Sequence, residues 1–213
     1  MKISIIGTGR MGVGLATLMD IFMSGEELLW GSRSISKAKH LVDAGALKQT
    51  RAVNMEQALE ADVVVPTLWF RDLIPWVTKH EKQLCGKIVI DIVNPFTEDF
   101  SDFTLQWGTS AAEELQRALP DTTIIGAFKN TFFKVLANPI FQNQQSDVYV
   151  TGDDEQAKLT VMQLLEAVPF RILDGGRLAN NRTIERMTLF EREIAIRYGN
   201  YPYVSNRMFG LNK

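Results

Sequence analysis

The chain has 213 residues, 46% of them hydrophobic and 23% charged, and its 23 Lys plus Arg against 25 Asp plus Glu leave a net charge of -2. That length allows one large domain whose core needs neither disulfides nor a structural metal, and the near balance of charge excludes the basic stripe of a nucleic-acid binder. One cysteine, Cys85, excludes an internal disulfide and fits a reducing, cytoplasmic setting; two histidines and one cysteine do not make a zinc site, and no apolar run approaches the roughly 18 residues of a membrane span.

Short apolar runs alternate with amphipathic stretches, the pattern of βαβ units in a mostly parallel sheet. Lys2–Ile6 reads as the first strand. After Gly9 the spacing turns helical, with Met11, Leu15, Leu18, Met19 and Phe22 on one inner face until Ser24-Gly25. Leu28-Leu29-Trp30 is the second strand, and Ser36 is expected to cap a helix reaching Ala44, with Gly45 as its stop. A weak strand at 51–53 precedes Asn54 and Gln57, which have capping-box spacing. Val63-Val64-Val65 is a buried strand ended by Pro66, and a helix is expected over 73–84 with Pro75 in its first turn. Residues 88–93 form another apolar strand, interrupted only by Asp91. Ser110 and Glu113 open a helix that stops before Pro120. Thr123-Ile124-Ile125, Val148-Tyr149-Val150 and Arg171-Ile172-Leu173 are further strands, with Asp153 as cap of the helix between the last two. A long helix over 178–198 carries Ile184, Met187, Phe190, Ile194 and Tyr198 at spacings of three and four. The expected fold is α/β, a doubly wound, mostly parallel Rossmann sheet over residues 1–175, with a helical extension over 176–213 that packs on the same domain or on a second chain.

Gly7-Thr8-Gly9-Arg10-Met11-Gly12 fits G-x-G-x-x-G, and its position between a strand and an amphipathic helix gives the string its meaning. Gly7 serves the tight turn, Gly9 the approach of a pyrophosphate, and Gly12 the close packing of helix on strand. A helix start with free amides and about half a positive charge then faces the anion. Arg10 either lies over that pyrophosphate or projects into solvent. An NAD site places an acidic residue after the second strand to hold the ribose 2′-OH. Here Ser32, Arg33 and Ser34 stand there, followed by Lys37. A carboxylate repels a 2′-phosphate, whereas this set donates to it, so NADP is the expected cofactor.

Strand ends line the ligand crevice of such a sheet. They contribute Pro66 and Thr67, Val93, Asn94 and Pro95, and residues from Phe128 to Thr131. Phe128 either stacks on a ring or closes the core; Trp69 and Phe70 either wall a substrate pocket or pack a helix start. His40 and His80 fall on predicted helices away from the strand ends, and Cys85 reads as structural.

The glycine loop and Gly31-Ser32-Arg33 occur in order with Val89-Ile90-Asp91-Ile92-Val93-Asn94-Pro95, Ser110-Ala111-Ala112-Glu113-Glu114-Leu115-Gln116, Ala127-Phe128-Lys129-Asn130-Thr131, Gly152-Asp153-Asp154 and Leu178-Ala179-Asn180-Asn181-Arg182. In these segments, which span nearly the whole chain, the sequence resembles the NADP oxidoreductases that use a deazaflavin coenzyme, coenzyme F-420. It is also similar to the cytosolic reductase domain of the STEAP metalloreductases. The chain departs from the family's Ala-Phe-Asn-Thr by inserting Lys129, and Thr67-Leu68-Trp69-Phe70 is bulkier than the family pattern. The resemblance implies a homodimer and hydride transfer between NADP(H) and a flavin, deazaflavin or similar small electron acceptor. That chemistry belongs to the cofactors and needs no histidine base. A hydroxy-acid dehydrogenase or imine reductase would require a large helical domain after the last strand, where only residues 176–213 stand. A non-catalytic NADP(H)-sensing module is the remaining alternative.

Overall fold

The computed structural model describes residues 1–211. Its elements are β1 (Lys2–Ile6), α1 (Arg10–Phe22), β2 (Glu27–Gly31), α2 (Ile35–Ala44), β3 (Thr50–Val53), α3 (Met55–Ala58), β4 (Val63–Pro66), α4 (Phe70–Lys79), α5 (Glu81–Leu84), β5 (Ile88–Asp91), α6 (Ala111–Ala118) and β6 (Thr123–Gly126). They continue with the small hairpin β7 (Ile140–Phe141) and β8 (Gln144–Gln145), then β9 (Asp147–Val150), α7 (Glu155–Leu165), β10 (Arg171–Asp174) and α8 (Asn181–Arg197). Six strands form one parallel sheet in the order β3-β2-β1-β4-β5-β6, the doubly wound Rossmann arrangement. β9 and β10 pair in parallel beyond β6 and join it through an antiparallel bridge between Gly126 and Thr151.

The strands are buried because both sheet faces are covered, as their unbroken apolar runs require. Val63, Val64 and Val65 are wholly inaccessible, as are Val89 and Ile90. The order reverses between β1 and β4, whose register sets Ile6 beside Pro66, while Ile6 also lies beside Gly31 of β2. A crevice therefore opens over the ends of β1, β4 and β5.

Several expected boundaries shift. α2 is capped by Ser34, whose hydroxyl accepts from the Lys37 amide, and not by Ser36. α7 is capped by Asp154; the Asp153 carboxylate instead accepts from the Leu178 amide and ties the last crossover to the C-terminal segment. The helix expected over 73–84 is two, α4 and α5, and Pro75 sits inside α4. Its start was hidden because the cap position is Trp69, which offers no capping oxygen. Asn54 and Gln57 do form a reciprocal capping box.

The apolar stripe read on the last helix is largely outside: Phe190 is 63% and Tyr198 77% exposed, and Ile194 is exposed as well. Phe22 of α1 is exposed too. The buried face of α8 runs through Asn181, Ile184, Glu185, Thr188 and Ala195, three of them polar with buried partners. At the N-terminal end of α8, Arg182 forms a forked pair with Glu113 of α6, the residue whose carboxylate also accepts from the Ser110 hydroxyl.

Candidate functional site

The glycine loop closes β1 onto α1. Gly7 has φ +112°, and a Cβ there would lie 2.7 Å from Thr67 Oγ1. A Cβ on Gly12 would lie 2.3 Å from the Gly7 carbonyl, so the helix can approach only without one. Gly9 is different: nothing stands within 4 Å of its missing Cβ. The loop is held from two sides. The Trp30 indole donates to the Gly7 carbonyl at 2.7 Å, and Thr67 donates to the Ile6 carbonyl through its amide and its hydroxyl, both at 2.8 Å. α1 has no side-chain cap; the first helical amide bond runs from Val13 to Gly9, and the amides of Arg10, Met11 and Gly12 take no partner among the described residues. Such free amides at a helix start suit an anion.

β2 ends beside this loop, with the Gly7 amide donating to the Gly31 carbonyl. Ser32 is buried and its hydroxyl accepts from the Ser34 amide, which folds the turn. Arg33 is exposed and, among the described residues, makes no hydrogen bond or ion pair. The Ser34 hydroxyl is occupied as the α2 cap, and Lys37 is exposed one turn along.

The far side of the crevice rests on a buried ion cluster. Lys129 Nζ lies 2.6 Å from Asp91 Oδ2 and 2.8 Å from Glu185 Oε1, and donates to the Val93 carbonyl at 2.5 Å. All three charged side chains are at most 2% exposed. Burial pulls the Lys129 pKa down, but the two carboxylates together outweigh it and hold the ammonium above the usual lysine value. Burial lifts Glu185 above the usual carboxyl range against the pull of Lys129. The cluster joins β5, the loop after β6, the start of α6 through the Ala111 amide, and α8. The Lys129 carbonyl in turn receives Asn94 Nδ2 at 2.8 Å and the Thr188 hydroxyl at 2.9 Å. With Nδ2 committed, the buried Asn94 Oδ1 has no partner, and neither has the buried Thr131 hydroxyl.

Asn94, Thr131 and Thr188 face a cavity of about 540 Å³ that begins at Gly9, Arg10 and Met11. Its walls are aromatic, with Trp69 and Phe100 tilted together at 5.6 Å and Phe132 edge-on to Tyr201 at 5.7 Å. Arg10 stands over the Phe133 ring at 5.0 Å, and Arg192 lies between the rings of Phe100 and Tyr201. Among the described residues lining this cavity there is no Asp or Glu. The volume is that of an ordinary small-ligand site.

A model of the family described as NADP oxidoreductase, coenzyme F420-dependent, matches residues 2–95. The F420-dependent NADP reductase of Methanocaldococcus jannaschii is 30% identical over 216 residues, covering 93% of this chain and 94% of that protein. The chain belongs to this F420-dependent NADP oxidoreductase family. Membership makes it an NADP-dependent oxidoreductase. The metalloreductase STEAP3 of Rattus norvegicus is 31% identical over 88% of this chain, which spans 36% of that longer protein. Among solved structures, a chain from Arthrobacter sp. FB24 carrying the F420-dependent NADP-reductase designation superposes with a TM-score of 0.83 at 22% identity, covering 98% of one chain and 99% of the other. An imine reductase from Bacillus cereus gives 0.66 at 17% identity over 62% of its length, a likeness of fold.

Within this family member, the structure brings Gly9, Arg10, Met11, Thr67, Val93 and Asn94 together around the cavity. Gly7, Thr8 and Gly12 form the loop beneath it. Pro66 and Pro95 are buried and shape their loops; the Pro95 carbonyl accepts twice from Thr104. Phe128 is a correction: at 1% exposure its ring packs edge-on to Phe170 in the core, so no face is open to a ligand. Its φ of +53° helps form the turn that sends Lys129 back under β5. His40 is exposed, and His80 lies tilted against Trp76 at 5.0 Å with its pKa lowered by burial. The sequence reading missed Phe96, Phe100, Phe132, Phe133, Thr188, Arg192 and Tyr201. These lie outside the strand ends and the glycine motif, and no spacing rule singles them out. Among the described residues there is no cluster able to hold a metal, and no helix is long and apolar enough to cross a membrane.

Proposed function

We propose that this protein moves a hydride between NADP(H) and a flavin, deazaflavin or similar small acceptor. The observation that carries this reading is one carboxylate-free, aromatic-walled cavity continuous with the free amides of the glycine loop. Its residues fit the dinucleotide. The amides of Arg10, Met11 and Gly12 receive the pyrophosphate, and the open space at Gly9 admits it. Ser32 and Arg33 take the 2′-phosphate, with Lys37 adding charge and Ser34 acting through its cap. The unpartnered Asn94 Oδ1 and Thr131 hydroxyl receive the nicotinamide carboxamide, and the Lys129 carbonyl keeps Asn94 from turning over. When bound, the nicotinamide supplies the hydride. The protein contributes a dry wall and a fixed distance, through Trp69, Phe100 and Phe132, with no acid or base at the reacting atoms.

Purified protein mixed with NADPH and, in turn, FMN, riboflavin and the deazaflavin should oxidise the nicotinamide, read as loss of its absorbance band, and should use NADH poorly. Tight NADPH binding with no turnover on any of the three would refute this acceptor class and favour the sensing role.

The exposed stripe of Phe190, Ile194 and Tyr198 supports a homodimer through α8, checked by sedimentation equilibrium. The free thiol of Cys85 supports a reducing, cytoplasmic setting, and the charge balance supports partners other than nucleic acid.

A further inference from the structure

We propose that Arg192 is a specificity-determining residue that holds a negatively charged group of the acceptor. This rests on the reading of the aromatic cavity as the acceptor site. Two arginines and no carboxylate line the described cavity. Arg10 stands at the glycine-loop end, over Phe133. Arg192 projects from α8, its guanidinium carbon 5.1 Å from the Phe100 ring centre and 5.2 Å from that of Tyr201.

The other arginines of that helix are committed: Arg182 to Glu113, Arg197 to Glu193, and Arg186 to the Leu105 carbonyl. Arg192 forms no ion pair among the described residues, and its only hydrogen bond is a long 3.4 Å contact to the Phe100 carbonyl. Its Nε is buried with no partner. A guanidinium offers five donors in a planar fork and is never neutral in a protein, so donors held between two rings lack only an oxyanion. The rings that flank Arg192 are also the surfaces on which a flat acceptor stacks.

Riboflavin and FMN share one ring system and differ by a phosphate, which makes them the probes. Both are titrated against the protein with NADP+ present, following flavin fluorescence, and both are tried as acceptors for NADPH. FMN should bind the parent about ten- to hundredfold more tightly than riboflavin, the range of a charge-assisted contact. That ratio should fall to about one in Arg192→Ala and Arg192→Gln, and Arg192→Lys should keep part of it; circular-dichroism melts confirm that the variants are folded. Equal affinities in the parent, or a ratio that survives in both neutral variants, would overturn the assignment. A tenfold loss of NADPH binding in the same variants would give Arg192 to the dinucleotide and overturn it as well. NADPH oxidation with riboflavin and FMN used alike sinks the arginine's role and leaves the acceptor site standing. Neither flavin binding nor turning over sinks both.

Discussion

Replacing Lys129 by Met keeps the length of the side chain and removes the one cation from a site where Asp91 is wholly buried and Glu185 is 2% exposed. Breaking a buried pair by removing one partner costs about 3–5 kcal/mol, because the charge left behind has neither water nor a counterion. In a chain of this size each kcal/mol lowers the melting temperature by about 2–4 °C, so the variant should melt about 6–20 °C below the parent at neutral pH. Glu185 sets the pH dependence. Its folded pKa is raised above its unfolded value near 4.5 by burial, so its proton is favoured in the folded state; losing Lys129 raises it further. The stability that proton confers is fully present below the unfolded pKa and lost as pH rises through the folded one. The melting gap should therefore narrow from about pH 8 to about pH 5. Differential scanning calorimetry across that interval measures it. A variant that melts within about 2 °C of the parent, or a gap that ignores pH, would refute the reasoning.

Arg33→Ala should weaken NADPH binding by about ten- to hundredfold and leave NADH nearly unchanged, measured by calorimetric titration; equal losses for both would remove the phosphate role. Gly9→Val should abolish dinucleotide binding with little change in melting, since its Cβ meets nothing in the protein, whereas Gly12→Val should destabilise the loop itself. Binding that survives Gly9→Val would mean the pyrophosphate lies elsewhere. Asp20 accepts from the amides of Lys48, Gln49 and Thr50; burial works to raise its pKa, but these bonds outweigh it and hold the carboxyl below its ordinary value of 3.8. Its contribution is present above that value and lost as pH falls through the lower folded pKa. Asp20→Asn should cost about 1.5–3 kcal/mol in neutral urea unfolding and progressively less in acid.

The sheet and the glycine loop were legible from residue order because their physics is local. A strand buried on both faces shows as an unbroken apolar run, as in Val63-Val64-Val65, and a βα turn needs glycine where no Cβ fits. Caps were legible to within a few residues: Ser34 and Ser36 both offer an oxygen, as do Asp153 and Asp154, and only the backbone path decides which faces the open amides. The buried face of α8 was hidden for a different reason. Periodicity counts apolar side chains, whereas Glu185 and Thr188 are buried by the partners they find on Lys129. The insertion at Lys129 was visible as a departure, but its partners, Asp91 and Glu185, come together only through the fold. Arg192 and Tyr201 carry no local signal of the cavity they line, for the same reason.

The hydrogen bond from Trp30 to the Gly7 carbonyl gives the protein an optical gauge. Trp30 is sealed from solvent, Trp76 is half-buried, and Trp69 and Trp107 are exposed, so a water-soluble quencher such as iodide silences the exposed pair first, and a Trp76→Phe background leaves Trp30 as the shielded emitter. Short-wavelength emission from the shielded indole then registers any disturbance of the turn it grips, without an added dye.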